Sequence, residues 1–406
     1  MAPMTRRRLK TLNSLQISSA ATVASIEDLL IEIFMHLAVK PLVKFKSISK
    51  QWYSIISQPQ FIINHARKNP RLNGLLLKSL TQEGYPPLSL IHLENFQPPT
   101  VLPIQFLNNP GANILHSCKG LLCYSVSQNY MDVAHDPNAS VLISYHVCNP
   151  TSGHSTRIRV FNAASAADLR SVNIAFDPSK SIHYKVIFVR RRMSLLESNR
   201  LIKFDIYSSE TRSWKFVKEV VYDVGFNNRG VYWNGAIYWY DTTRRAIFYF
   251  DLEAECLKSM PTPTSTPGSP KMHLEYFGES SGCLHLITTR RPLGMQFTIY
   301  EMQRDKSDWI VKYNGDLSFM TIKYPKMVCG RKYRYYVYRP LCLVEEEKKE
   351  ESNLVLAIPG KVISFNLKDK ALKVLCDLKP AISFGALAIT ANKFKTYQYM
   401  ETLACI

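Results

Sequence analysis

Nowhere in this chain do about 18 apolar residues run together, so no segment reads as a membrane-spanning helix. The start, Met-Ala-Pro-Met-Thr-Arg-Arg-Arg-Leu-Lys, lacks the apolar core of a secretory leader, and no acidic residue precedes Glu27. Residues 1–24 therefore read as a disordered basic tail. Metal-site spacing is missing too. Nine cysteines (Cys118, Cys123, Cys148, Cys256, Cys283, Cys329, Cys342, Cys376 and Cys405) are scattered, with no Cys-x-x-Cys pair and no local histidine pattern. An odd count without framework spacing suits a reducing compartment, cytoplasm or nucleus, where cysteine packs as a small hydrophobe. Nor is there a Gly-x-Ser-x-Gly elbow, a phosphate loop, a Gly-x-Gly-x-x-Gly turn or a His-Glu-x-x-His pair. The ten histidines are dispersed, and His116 and His285 lie in strand-like runs that suit hydrogen-bonded core positions. No catalysis, metal or cofactor is expected.

What is present is an ordinary globular composition, 46% hydrophobic and 20% charged, in a chain of 406 residues. That length accommodates two or three domains. The net charge of +19 is spread along the whole chain, so nucleic acid is not the first partner to expect.

Residues 25–66 form the densest apolar segment. Ser25 with Asp28 reads as a helix cap and its partner. Leu29, Leu30, Ile33, Phe34 and Leu37 follow at helical spacing. Pro41 suits the first turn of a second helix, on which Leu42, Phe45 and Ile48 recur along one side. Ser57 and Gln60, with Pro59 between them, mark another helix start carrying Phe61, Ile62 and Ile63. Three or four short helices in about 40 residues are too few to bury their own apolar faces. The module needs a partner, either the rest of this chain or another protein.

The order acidic-Leu-Leu-x-Glu-Ile, Leu-x-Val-Lys-x-Leu-x-x-Phe and Ser-Lys-x-Trp-x-x-Ile-Ile-Ser-x-Pro-x-Phe resembles the F-box of plant F-box proteins. Two places depart from it: where that family carries Leu-Pro, this chain has Ser25-Ile26 and Leu37-Ala38. The resemblance implies a helical hook that binds a Skp-type adaptor and, through it, the cullin scaffold of a ubiquitin ligase. Leu29, Leu30, Ile33, Leu37, Val39, Leu42 and Trp52 are the adaptor-binding residues it points to.

Beyond the hook, residues 67–406 change character. Short β-type runs such as His183–Val189, Ala236–Tyr240, Leu284–Ile287, Phe297–Tyr300 and Val362–Phe365 alternate with turn residues. Met260–Pro270 and Glu345–Glu351 read as surface loops. Glycine followed by an apolar strand recurs at Gly120, Gly235 and Gly282. A strand ending in a hairpin recurs at Phe204, Phe248 and Phe297, and more weakly at Val362. The step of about 45 to 50 residues is the size of one four-stranded propeller blade. An all-β propeller of six or seven blades also removes the sheet edges that so many short strands would expose.

Ser117-Cys-Lys-Gly-Leu-Leu-Cys, Asn149-Pro-Thr-Ser-Gly, Phe176-Asp-Pro, Gly230-Val-Tyr-Trp-Asn-Gly-Ala-Ile-Tyr-Trp and Tyr397-Gln-Tyr-Met-Glu-Thr-Leu-Ala are similar to the F-box-associated, kelch-like domain of the same plant family. That resemblance implies a propeller presenting an unknown protein substrate to the ligase, with no bond chemistry of its own. The basic knots Arg190-Arg191-Arg192, Arg244-Arg245, Arg290-Arg291 and Arg331-Lys332-Tyr333-Arg334 are about evenly spaced. They would fall on equivalent loops of a repeated fold and could form one substrate-binding rim for an acidic or phosphorylated partner. The alternative function is a basic propeller that binds nucleic acid or another anionic ligand without ligase membership.

Overall fold

Helical and β-type periodicity segregate along the chain in the computed structural model. It describes residues 26–79, 88–94, 96–102, 104, 107, 111–128, 142–159, 168–193, 200–217, 220–221, 226, 229–263, 272–290, 294–303, 305, 308–329, 335–346, 351–378 and 394–406. The hook comprises α1 (Glu27–Met35), α2 (Val39–Phe45), α3 (Lys50–Ser57) and α4 (Pro59–Lys68).

Two of the expected caps differ from the observed ones. Ile26 precedes α1 and offers no side-chain acceptor, while Ser25 lies outside the described residues. Ser57 closes α3 instead of opening α4; Gln58 stands at that start, and Pro59 supplies the preset φ of the first turn. The cap that forms is Ser49, whose Oγ accepts a hydrogen bond from the Trp52 N–H at 3.1 Å. This cap accounts for the Ser-Lys-x-Trp spacing.

The remainder is a ring of six antiparallel blades, five of them four-stranded, while blade 3 carries a short fifth strand, Val220–Val221, paired with Arg200–Ser208. Blade 2 comprises Ala112–Cys118, Leu121–Gln128, Leu142–Asn149 and His154–Ile158. Blade 3 is Leu169–Ala175, Lys185–Met193, Arg200–Ser208 and Ser213–Phe216. Blade 4 is Val231–Trp233, Ala236–Asp241, Ala246–Asp251 and Cys256–Pro261. Blade 5 is His273–Ser280, Cys283–Thr289, Gln296–Met302 and Trp309–Asp316. Blade 6 is Arg339–Glu346, Glu351–Ile358, Lys361–Asn366 and Leu372–Asp377.

Blade 1 closes the ring. Its outer strands, Gly74–Ser79, Ser89–His92 and Thr100–Val101, follow the hook, but its innermost strand is Phe394–Tyr399. Pairing runs from Gly74 with Tyr399 to Ser79 with Phe394. Segments far apart in the sequence thus share one sheet, which closes the ring.

The turn from first to second strand is a two-residue hairpin at Lys119-Gly120, Asn234-Gly235 and Ser281-Gly282, with φ of 40° and 96°, 42° and 79°, and 47° and 78°. Two consecutive positive φ values match the strand twist, and the second position takes glycine. Tryptophans staple neighbouring blades. Trp214 Nε1 donates to the Arg159 carbonyl at 2.6 Å, and Trp309 Nε1 donates to the Pro261 carbonyl at 3.1 Å. The buried core is accordingly distributed as separate apolar layers between blades.

Buried His116 ties three blades together. Its Nε2 lies 2.6 Å from the Gly230 carbonyl, and its Nδ1 accepts from the Ile174 N–H at 3.2 Å. Burial holds this imidazole neutral by lowering its pKa to about 4.

Candidate functional site

The propeller has two ends, and they differ. All inner strands finish at the hook end. There Lys40 pairs with Glu401 at 2.8 Å, and Arg67 Nε donates to the Ser179 carbonyl at 2.7 Å. Leu403 joins the apolar core of the hook, with Ile182 packed against it. The propeller therefore covers one side of the helical module.

Leu30, Phe34, Val39, Leu42, Ile55, Ile56, Phe61 and Ile62 fill that core. Leu30, Val39 and Leu42 are thus buried within the hook itself. Leu37 and Trp52 are half-buried. Trp52 meets Phe34 edge-on at 5.2 Å and Phe45 at 5.2 Å. Leu29 and Ile33 point outward, 44% and 45% exposed. Ile26 precedes them on the same helical face, and Ile48 and Tyr53 are also exposed. An apolar stripe remains uncovered on a module whose other side is docked.

At the opposite end, inner strands begin and second strands turn into third. The knot Arg244-Arg245 occupies the turn Thr242–Arg245 of blade 4, and Arg290 opens the equivalent turn of blade 5. Arg190, Arg191 and Arg192 belong to the strand Lys185–Met193 and not to a loop, near the end of it that faces the same way. Two of these cations are already paired: Arg190 Nε with buried Asp205 at 2.7 Å, and Arg244 Nη1 with Asp241 at 3.1 Å. Arg191 Nε is buried without a hydrogen-bond partner. Arg290 is exposed. Arg291, Arg331 and Arg334 lie outside the described residues. Also at this end, Tyr240, Thr242, Arg245, His273, Leu274 and Glu275 line most of a cleft of about 350 Å³ between blades 4 and 5.

Four further cations at this end have no adjacent basic neighbour in sequence to announce them. Lys78 and Lys395 are direct register partners in blade 1, Arg229 immediately precedes Gly230, and Arg339 opens the inner strand of blade 6.

One cluster has the residue types of a metal site. His285 lies 3.0 Å from Glu301 and 3.4 Å from Glu345, between blades 5 and 6. Lys312 reaches both carboxylates and supplies the positive charge that a cation would bring. The hydrogen bond from His285 holds Glu301 down at about 2, against the effect of burial. Burial opposes charge on His285, but the two carboxylates outweigh it and raise its pKa. The set reads as a buried charge cluster joining two blades.

Residues 27–64 match the F-box domain, and residues 101–350 match the F-box associated beta propeller domain. An F-box protein of Arabidopsis thaliana is 31% identical over 409 residues, covering 95% of this chain and 94% of its own. A second Arabidopsis thaliana F-box protein is 24% identical over 64% of this chain and 71% of its own length. An F-box/kelch-repeat protein of that plant is 25% identical, with the same 64% and 71% coverage.

Proposed function

The chain belongs to the plant F-box proteins that carry an F-box-associated β-propeller, and from that premise we propose that it is the substrate-receptor subunit of a Skp–cullin–F-box ubiquitin ligase. The observation that carries this reading is the uncovered stripe of Ile26, Leu29 and Ile33 on a hook whose opposite side is already docked. Exposed apolar residues this close together mark a protein interface. Leu29 and Ile33 would touch the Skp-type adaptor. Leu30, Leu37, Val39, Leu42 and Trp52 would hold the helices that present them.

The receptor performs no bond chemistry. It raises the effective concentration of a substrate lysine near a ubiquitin-charged enzyme carried on the cullin. Substrate binds at the end away from the hook, near Arg190, Arg191, Arg192, Arg244, Arg245 and Arg290; the expected contributions of Arg291, Arg331 and Arg334 concern residues outside the described ones. Site of action is the cytoplasm or nucleus. Co-expression with a Skp-type adaptor tests the reading: the wild-type chain is recovered in a one-to-one complex. Failure of the full-length, folded chain to retain any such adaptor refutes it.

A further inference from the structure

Three cations meet at the channel mouth away from the hook, and among the described residues no acid pairs with them. Lys78 and Lys395 stand directly opposite each other on one face of blade 1. Lys78 Nζ donates to the Ala112 carbonyl, and Lys395 Nζ lies 3.5 Å from Asn113 Oδ1, both at the start of the inner strand of blade 2. Arg229 reaches across the channel from blade 4. Its guanidinium lies 4.1 Å from the centre of the Tyr397 ring and donates to the Thr396 carbonyl and the Tyr397 hydroxyl, each at 3.0 Å. Every one of these acceptors is neutral. Among the described residues no carboxylate bonds Lys78, Lys395 or Arg229.

Such a cluster is costly to the fold. Like charges opposite each other in a sheet destabilise it, and removing ammonium groups from bulk water adds to the cost. Burial, then the neighbouring Lys395, lowers the pKa of Lys78. Burial, then Arg229, lowers that of Lys395. Arg339, at the start of the blade 6 inner strand, also feels Arg229 after burial. Arg229 is accessible to water although protein surrounds it, as expected of a group lining a channel. Its bridge to Tyr397 would explain one cation. Packing gives no reason for two lysines beside it.

We propose that this mouth is an anion site that takes a phosphate group, held by Lys78, Lys395 and Arg229. A dianion here would offset the repulsions of Lys395 with Lys78 and with Arg229 by charge-assisted hydrogen bonds from two ammonium groups and a guanidinium fork. The proposal rests on the receptor reading for the bearer of that phosphate, a phosphorylated segment of the substrate. The paired Arg190 and Arg244 and the exposed Arg290 then form a rim, while this mouth forms the specific seat.

The test uses the purified full-length chain and does not depend on the adaptor. Melting temperature is followed at fixed ionic strength as chloride is exchanged for inorganic phosphate, and binding of a phosphoserine peptide is compared with its serine counterpart. The expected result is saturable stabilisation by phosphate and preference for the phosphopeptide. Lys395→Gln should weaken both by at least about tenfold, the loss of roughly one charge-assisted bond. Lys395→Met should raise the melting temperature of the phosphate-free protein while removing its response, which a purely structural lysine would not do. Stronger binding of inositol hexakisphosphate than of the phosphopeptide would keep the site but name a small phosphate as its occupant. No saturable response, or one that Lys395→Gln leaves intact and Arg290→Gln abolishes, would overturn the proposal. Adaptor recovery in the same preparations reports on the ligase reading separately.

Discussion

Lys40, on α2 of the hook, is ion-paired at 2.8 Å with Glu401, just beyond the strand that closes the propeller. Burial works against the lysine's charge, but the bond to Glu401 raises its pKa overall. Beside this pair, Leu403 enters the hook core, and Asn149 Nδ2 donates to the carbonyls of Thr402 and Ala404 at 3.0 and 2.9 Å. One short segment therefore closes the ring, bolts to blade 2 and seats the hook. A receptor needs that coupling. A substrate at the far end is useful only if the hook holds the propeller at a defined angle to the ligase.

The adaptor surface is tested by contrast between neighbours. Leu29→Asp with Ile33→Asp should abolish adaptor recovery yet change folding stability by only about 0.5 kcal/mol, because both side chains already face water. Leu30→Asp should lose adaptor and hook together, since it buries a charge in an apolar core. Full adaptor recovery by the Leu29/Ile33 variant would move the interface elsewhere.

The seat of the hook predicts a second pair of outcomes. Leu403→Ala removes a buried side chain and should destabilise the hook by about 2–5 kcal/mol. Asn149→Ala leaves the Thr402 and Ala404 carbonyls without their donor and should cost about 1–3 kcal/mol. Denaturant midpoints followed by tryptophan fluorescence would register both. A fragment beginning at Asn73 should still give a β-type circular dichroism spectrum and a single melt. Two separated transitions in that fragment would contradict a single closed ring.

How much of this was legible depends on how local the signal was. The hook showed in the spacing of Leu29, Leu30, Ile33 and Phe34, because helical period is written within a few residues. The blades showed in Gly120, Gly235 and Gly282, where a tight hairpin demands positive φ. Ring closure by Phe394–Tyr399 did not show, since its partner strand lies at the other end of the sequence and apolar alternation carries no address. Ser57 misled because it sits one residue before the true cap position, Gln58. The arginine knots were visible as adjacent letters, whereas Lys78, Arg229 and Lys395 are solitary and meet only through topology.

Acid should loosen the ring in two stages. The folded pKa of His116 is depressed to about 4, below the ordinary 6.5, so unfolded chains bind the extra proton first. Its contribution is present above about 6.5 and is lost as pH falls toward 4. His65, also lowered chiefly by burial, adds in the same direction. Glu301, held at about 2, contributes above its ordinary 4.5 and is lost as pH falls through 2. His285 has a raised pKa and acts oppositely: its contribution is complete below 6.5 and is lost as pH rises through its folded value. Melting temperature should therefore fall between pH 6.5 and 4, and again toward 2. His116→Gln should flatten the first decline and Glu301→Gln the second. An unchanged slope in His116→Gln would show that its burial does not govern acid sensitivity.

The rim predicts how substrate capture responds to salt. Arg190 and Arg244 are bound to Asp205 and Asp241, so their charge is partly spent inside the protein. Arg290 is exposed and enters no ion pair among the described residues. Exposed charges steer encounters more than they hold complexes, and that contribution fades once the Debye length shrinks to about 8 Å near physiological salt. Arg290→Glu should therefore slow substrate association several-fold at low salt, with a much smaller effect at high salt and no change in adaptor recovery. Surface plasmon resonance at two ionic strengths separates the rates. If the variant instead accelerates dissociation equally at both, Arg290 is a buried contact of the complex and the rim does not act by steering.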